Sequence, residues 1–166
     1  MIKSFKGKTP VVPNSAFVAD SALVIGDVVL GENVNVWYGA VIRADEGKII
    51  IGDNTNVQDN CVVHCDEDLI IGKNVTIGHG AIVHGKKIGD DVMIGMGSIS
   101  LVGSEIGDGS ILGAGALLTQ NKILPSRSVA IGSPAKVVRD VMDEDVLRTV
   151  NNSIHYVNLA KEHKNC

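Results

Sequence analysis

The sequence predicts an all-β solenoid, a triangular parallel β-helix followed by one C-terminal α-helix, and three observations carry that reading. Aliphatic residues recur every six positions, a small or β-branched residue stands two places before each, and a glycine follows nearly every third aliphatic. A helix needs a period near 3.6 and a half-buried strand alternates at 2. A six-residue period belongs instead to a chain wound through short strands with a turn at each corner.

The period runs through Val12, Val18, Val24, Leu30, Val36 and Ile42, resumes at Ile51, Val57 and Val63, again at Ile71, Ile77 and Val83, and continues from Ile88 to Leu118. It breaks only after Ile42, Val63 and Val83. With three hexads to a coil, the aliphatics sort into three stacked columns. The first holds Val12, Leu30, Ile51, Ile71, Ile88 and Ile106, and all but Val12 precede a glycine, which suits a corner where backbone turns tightly or takes positive φ. The second holds Val18, Val36, Val57, Ile77, Ile94 and Leu112; the third holds Val24, Ile42, Val63, Val83, Ser100 and Leu118. Residues such as Ala22, Thr55, Cys61, Ala81 and Ser98, two places earlier, are predicted as secondary inward positions of a narrow prism.

Composition agrees. The 166 residues suffice for one solenoid, which needs no globular core because each coil buries its interior against the next. Nineteen glycines and few aromatics suit a thin, tightly turned prism. A net charge of −4 with scattered Lys and Arg gives no basic footprint for nucleic acid or anionic lipid. No run approaches the ~20 apolar residues that cross a bilayer, and Met1–Lys8 lacks the hydrophobic stretch of a signal peptide. Three cysteines, Cys61, Cys65 and Cys166, read as free thiols in a reducing cytoplasm.

Past Leu118 the pattern loosens through Pro125 and Pro134, and Gly132–Asp140 is predicted to leave the prism. The prism is thus assigned to 1–135 and a helical segment packing on it to 136–166, within one structural domain. The helix is predicted from Asp143 to Lys161, with Asp143 as N-cap and Val146, Leu147, Val150, Ile154 and Val157 on its buried side. It lies along a prism face, in its own chain or at a subunit junction.

Column position then decides which histidines can meet. His64 and His84 each follow a third-column residue, one coil apart, so their backbones are predicted to stand ~4.8 Å apart. Arg43 follows Ile42 one coil earlier. His79 lies on another edge, and the extended chain between it and His84 spans roughly 12–16 Å, whereas a zinc–nitrogen bond is ~2.0–2.1 Å. His79 therefore reaches an ion on His64 and His84 only from an adjacent prism, and threefold symmetry would make three such sites. Three histidines and an open fourth position form the donor set of hydrolytic or hydration zinc sites; imidazole also suits Fe²⁺ and Co²⁺. Cys65, next to His64, is expected to point away. Polar residues cluster nearby: Arg43, Asp45 and Glu46, then Asn56, Gln58 and Asp59, the last stacked below His79 where it can orient the ring or simply stabilise a turn. His155 and His163 read as exposed helix residues.

Arg43-Ala-Asp-Glu-Gly47, Asn56-Val-Gln-Asp59, His64, Ile77-Gly-His79 and His84-Gly85 together resemble the gamma-class carbonic anhydrases and their bacterial relatives, over nearly the whole chain. The segment Gly132–Arg139 is shared with hexapeptide acyltransferases and discriminates nothing. The resemblance implies a homotrimer of left-handed β-helices, an exception to the usual right-handed crossover, with His64 and His84 of one subunit and His79 of its neighbour holding the metal. It implies that Arg43 and Asp45 bridge subunits near the metal, that Gln58 hydrogen-bonds the reacting hydroxide, and that the Tyr156-Val157-Asn158 triplet reaches the site. Glu46 and Glu67 match glutamate types that export the proton. The loop after His64 is short, with only Cys65–Leu69 before Ile70, where the archaeal prototype has a long acidic loop.

The expected activity is reversible hydration of carbon dioxide to bicarbonate at zinc. Two alternatives are acyl transfer from coenzyme A with a single histidine as base, and a metal-stabilised trimeric scaffold without turnover.

Overall fold

In the computed structural model each inward aliphatic sits over its equivalent in the next coil; the structure describes residues 1–165. In the first column Leu30 pairs with Ile51, Ile51 with Ile71, Ile71 with Ile88 and Ile88 with Ile106. In the second, Val18, Val36, Val57, Ile77, Ile94 and Leu112 pair in succession. In the third, Val24, Ile42, Val63, Val83, Ser100 and Leu118 do the same. These pairings are parallel, and the whole is a left-handed β-helix of about seven coils. The secondary positions from Ala16 to Ala116 are buried as well, so two inward side chains per hexad fill the prism.

The corners divide their labour between two residue types. A Cβ on Gly52 would lie 2.7 Å from the Gly72 carbonyl carbon, so close coil-to-coil approach, and not positive φ, requires glycine after the first column. Positive φ falls two residues later, on Asn33, Asn54, Asn74 and Asp91, all near +55°. Their side chains form a ladder up the corner, Asn33 Nδ2 donating to Asn54 Oδ1, Asn54 to Asn74 and Asn74 to Asp91. The ladder satisfies amides that the tight corner would otherwise leave unpaired.

The coils continue past Leu118, within the stretch assigned to the prism: Ile106 pairs with Leu124 and Leu112 with Ala130, carrying two columns further. The chain then leaves the prism by a hairpin, Ser128–Ile131 antiparallel to Lys136–Asp140, that spans the 135/136 boundary.

The helix, Asp143–His163, packs on its own chain against the strands Asn35–Val36, Asn56–Val57 and Thr76–Ile77. Its N-cap is Met142 and not Asp143. Asp145, in the first turn, accepts the Met142 N–H at 3.0 Å and a pair of bonds from Arg139, while Asp143 pairs with Arg127 at 2.6 Å. The Arg139 bonds, helped by the Met142 N–H, hold the Asp145 carboxyl down at about 2. The buried side is also different from the predicted one. Asp145, Thr149, Ser153, Val157 and Ala160 face the prism, whereas Leu147 and Ile154 are exposed. The helix seats on strands whose outward residues are Asn35, Asn56 and Thr76, so small and polar side chains suit that surface better than leucine.

Candidate metal centre

His64 and His84 extend from strands Val62–His64 and Ile82–Val83, which pair in parallel, Val62 with Ile82 and Val63 with Val83. Their ring centroids are 5.0 Å apart. Arg43 pairs with His64 one coil below. Strand geometry, extended outward from a fixed column, is what stacks these three residues.

Each imidazole has its own polar setting. His64 Nε2 lies 3.0 Å from Asp45 Oδ1, and Asp45 in turn forms an ion pair with Arg43. Burial pushes the Asp45 carboxyl up, but the bonds from His64 and Arg43 outweigh it and its pKa sits below the ordinary value. A carboxylate on one ring nitrogen fixes the tautomer and leaves the other, Nδ1, free to ligate. His84 Nε2 is buried and unpaired: it comes within 3.1 Å of Asp66 Oδ1 without the alignment of a hydrogen bond. A buried, unpartnered imidazole nitrogen aimed at a carboxylate is costly as it stands and fits a cation between them.

Asp66 is the site residue that the sequence reading missed. Ligand atoms of His64, Asp66 and His84 lie within 4.8 Å of one another, and among the described residues no other such group is formed. Asp66 follows His64 by two in the stretch where the six-residue period breaks, so column arithmetic could not aim its side chain. The break itself, an irregular corner carrying Asp66, Glu67 and Asp68, was the available signal.

His79 lies outside that group. Its Nδ1 is 2.9 Å from Asp59 Oδ2, and its Nε2 is 3.5 Å from the Tyr156 hydroxyl. The helix thereby reaches this edge. Burial, and after it the negative charge of Asp59, raises the Tyr156 pKa. A chain of hydrogen bonds fixes the backbone: the His79 N–H donates to Gln58 Oε1, Gln58 Nε2 to Asn56 Oδ1, and Asn56 Nδ2 to Thr76 Oγ1, which also accepts from Asn152 of the helix. Gln58 and Asn56 are buried here, at the foot of His79.

Other predicted residues lie around these two groups. Arg43 and Asp45 pair with each other within the chain, beside His64. Glu46 is exposed in a groove of about 440 Å³ with Lys6, Lys8 and Lys48. Glu67 and His84 share a cleft of about 280 Å³. Asn158 is exposed. Cys65 points inward and is buried, as is Cys61, and burial pushes both thiols up to about 11, which removes them as ready thiolate ligands. Cys166 lies outside the described residues. His155 is exposed as expected, but His163 is half-buried, set edge-on to Trp37 at 5.1 Å and bonded to the Tyr38 hydroxyl at 3.0 Å. An aromatic cluster at the helix end, rather than solvent, claims it.

A sequence profile described as "Hexapeptide repeat of succinyl-transferase" matches residues 68–99 and 86–120. A carbonic anhydrase of Geobacillus kaustophilus is 41% identical over 99% of this chain and 91% of its own length. The chain belongs to the gamma-class carbonic anhydrase-like group of the hexapeptide-repeat family. Gamma carbonic anhydrase 2, mitochondrial, of Arabidopsis thaliana is 41% identical over 94% of this chain, which spans 59% of that relative's length. The chain is also similar to a Bacillus cereus crystal structure provisionally assigned as an acetyltransferase, 42% identical with a TM-score of 0.95, covering 99% of this chain and 96% of that one. Among the described residues no helix is long and apolar enough to cross a membrane.

Proposed function

We propose that this member of the gamma-class carbonic anhydrase-like group hydrates carbon dioxide reversibly to bicarbonate, as a homotrimer with a divalent cation at each subunit junction. His64 and His84 of one subunit and His79 of its neighbour hold the ion, Zn²⁺ by default and Fe²⁺ or Co²⁺ by the same donor chemistry. The observation that carries this reading is complementarity between two half-sites. One edge offers His64 backed by Asp45 beside an unpaired His84 Nε2; another offers His79 backed by Asp59. Each half is oriented for ligation and neither is complete.

An outward aliphatic stripe supports the junction. Val41, Val62, Ile82, Ile99 and Leu117 stack in register on the face that leads to His64 and His84, with Val62 and Ile82 about 40% exposed. A continuous apolar strip of this kind gains by being covered by another prism.

The bound ion supplies a Lewis acid that brings the pKa of water from 15.7 to about 7. The chain supplies the rest. Gln58 keeps one amide N–H beyond that given to Asn56 for orienting the attacking oxygen. Arg43 keeps Asp45 ionised behind His64 and offers positive charge to bicarbonate. Tyr156 sets the rim beside His79, and exposed Glu46 and Glu67 pass the proton to solvent. A reducing compartment such as the cytoplasm suits two buried free thiols.

Stopped-flow hydration by the zinc-loaded protein tests the reading: turnover above buffer that disappears in His64→Ala is expected, and no turnover at full zinc occupancy contradicts it. The acetyltransferase assignment of the Bacillus cereus relative is the observation that favours acyl transfer. Acetyl transfer from labelled acetyl-coenzyme A by metal-free protein would support that reading instead. A melting temperature raised by zinc without turnover would support the scaffold.

A further inference from the structure

We propose that Asp66 is a fourth metal ligand, so that one chain offers His64, Asp66 and His84 and the neighbour's His79 closes the site. This inference rests on the shared-cation reading and adds a ligand to it.

The geometry comes from one chain. Asp66 Oδ1 stands 3.1 Å from His84 Nε2 and 4.0 Å from His64 Nδ1. A tetrahedral ion with bonds of ~2.0–2.1 Å holds its ligand atoms about 3.3 Å apart. Both Asp66 distances are therefore within an ångström of the spacing a cation would impose, and all three donors lie within 4.8 Å of one another. Asp66 has no hydrogen bond to any other group among the described residues, and its two short contacts are both to imidazole nitrogens. Asp45 occupies the far nitrogen of His64, so the nitrogen that faces Asp66 is the one left for ligation.

The consequence concerns how open the site is. Structural zinc sites have four protein ligands, whereas catalytic ones have three and keep a position for solvent. Three histidines and Asp66 fill all four, and the carboxylate lowers the net charge of the centre from +2 to +1. The closed arrangement is the resting form, and solvent or an external anion enters only when Asp66 swings out. Its place on an exposed corner permits that movement.

Cobalt reports coordination directly. Co²⁺-loaded wild type, Asp66→Ala and His64→Ala are compared by visible absorption, by azide titration and by competition with a chelator of known affinity, with circular dichroism to verify folding. In wild type the visible bands should resist azide. In Asp66→Ala the bands should shift with azide, and Co²⁺ affinity should fall at least about tenfold, the lower bound for even an outer-shell partner. Zinc-loaded Asp66→Ala should hydrate carbon dioxide faster than wild type. Equal affinity and equal azide response in wild type and Asp66→Ala would overturn the proposal. His64→Ala separates the two levels: if it binds Co²⁺ as wild type does, the shared-cation site itself fails, whereas if it loses Co²⁺ while Asp66→Ala is silent, only the ligand role of Asp66 fails.

Discussion

The edge bearing His64 and His84 and the edge bearing His79 present the same chemical unit, an imidazole backed by a carboxylate, but they build it differently. On the first edge, stacking does the work: two imidazoles come from adjacent coils in register, and the backing Asp45 comes from the coil below. On the second, Asp59 backs His79 from the coil below, but the helix completes the edge with Tyr156, and the backbone is pinned by the Gln58–Asn56–Thr76–Asn152 bonds. A stacked edge depends on local coil geometry alone. A helix-buttressed edge depends in addition on a segment more than seventy residues away, so the two should fail under different perturbations.

The largest difference should appear on removing ligands. His64→Ala and His79→Ala should each lower metal affinity at least about a hundredfold, taking the upper range for outer-shell losses as a floor, while His155→Ala should change nothing; chelator competition measures all three. An asymmetry sharpens the comparison: three donors remain together in one chain after His79→Ala, but only two after His64→Ala. The second loss should be the greater.

Next in size are the backing carboxylates. Asp45→Asn and Asp59→Asn should each cost about 10–100-fold in affinity, because the ring behind them loses its fixed tautomer. Asp45→Asn also frees Arg43, so its effect should respond more strongly to salt.

Acid separates the edges by way of the helix. The Asp145 carboxyl, lowered to about 2 in the fold, is protonated in the unfolded chain near pH 4. Its contribution is therefore fully present above about pH 4 and is lost as pH falls toward 2. Far-UV circular dichroism should show helix signal falling over that window ahead of the β signal. In Asp145→Asn this step should vanish, with a lower melting temperature at neutral pH.

The smallest effect belongs to Tyr156→Phe. Its hydroxyl sits 3.5 Å from His79, at the outer limit of a hydrogen bond, and the ring remains packed edge-on against Trp37 at 5.4 Å. A stability loss below about 1 kcal/mol is expected by denaturant melts, with Trp37 fluorescence little changed.

The columns were legible because three hexads close a turn and extra residues between hexads only lengthen a corner: Val63 lies under Val83 across the break, and His64 under His84 follows. Legibility ended wherever that rule lapsed. Asp66 sits in the break after Val63, where no period sets side-chain direction. The helix face was misread because an apolar stripe is a guide to burial only when the receiving surface is apolar, and here it carries Asn35, Asn56 and Thr76. Asp145, Thr149 and Ser153, spaced by four, held the answer, but small polar residues at helical spacing read equally well as a solvated side. His163 was hidden similarly, since its aromatic neighbours Phe17, Trp37 and Tyr38 come from distant coils.

Subunit complementation tests the shared site most directly. His64→Ala and His79→Ala subunits, each nearly devoid of chelator-resistant metal alone, are co-expressed in equal amounts and the mixed trimers are assayed for bound ion. In a closed ring, each mixed trimer has one junction where an intact His64–His84 pair meets an intact His79, so random assembly should restore about a quarter of an ion per chain. No recovery on mixing, or a His79→Ala protein that holds metal as tightly as wild type, would contradict a cation shared between neighbouring prisms.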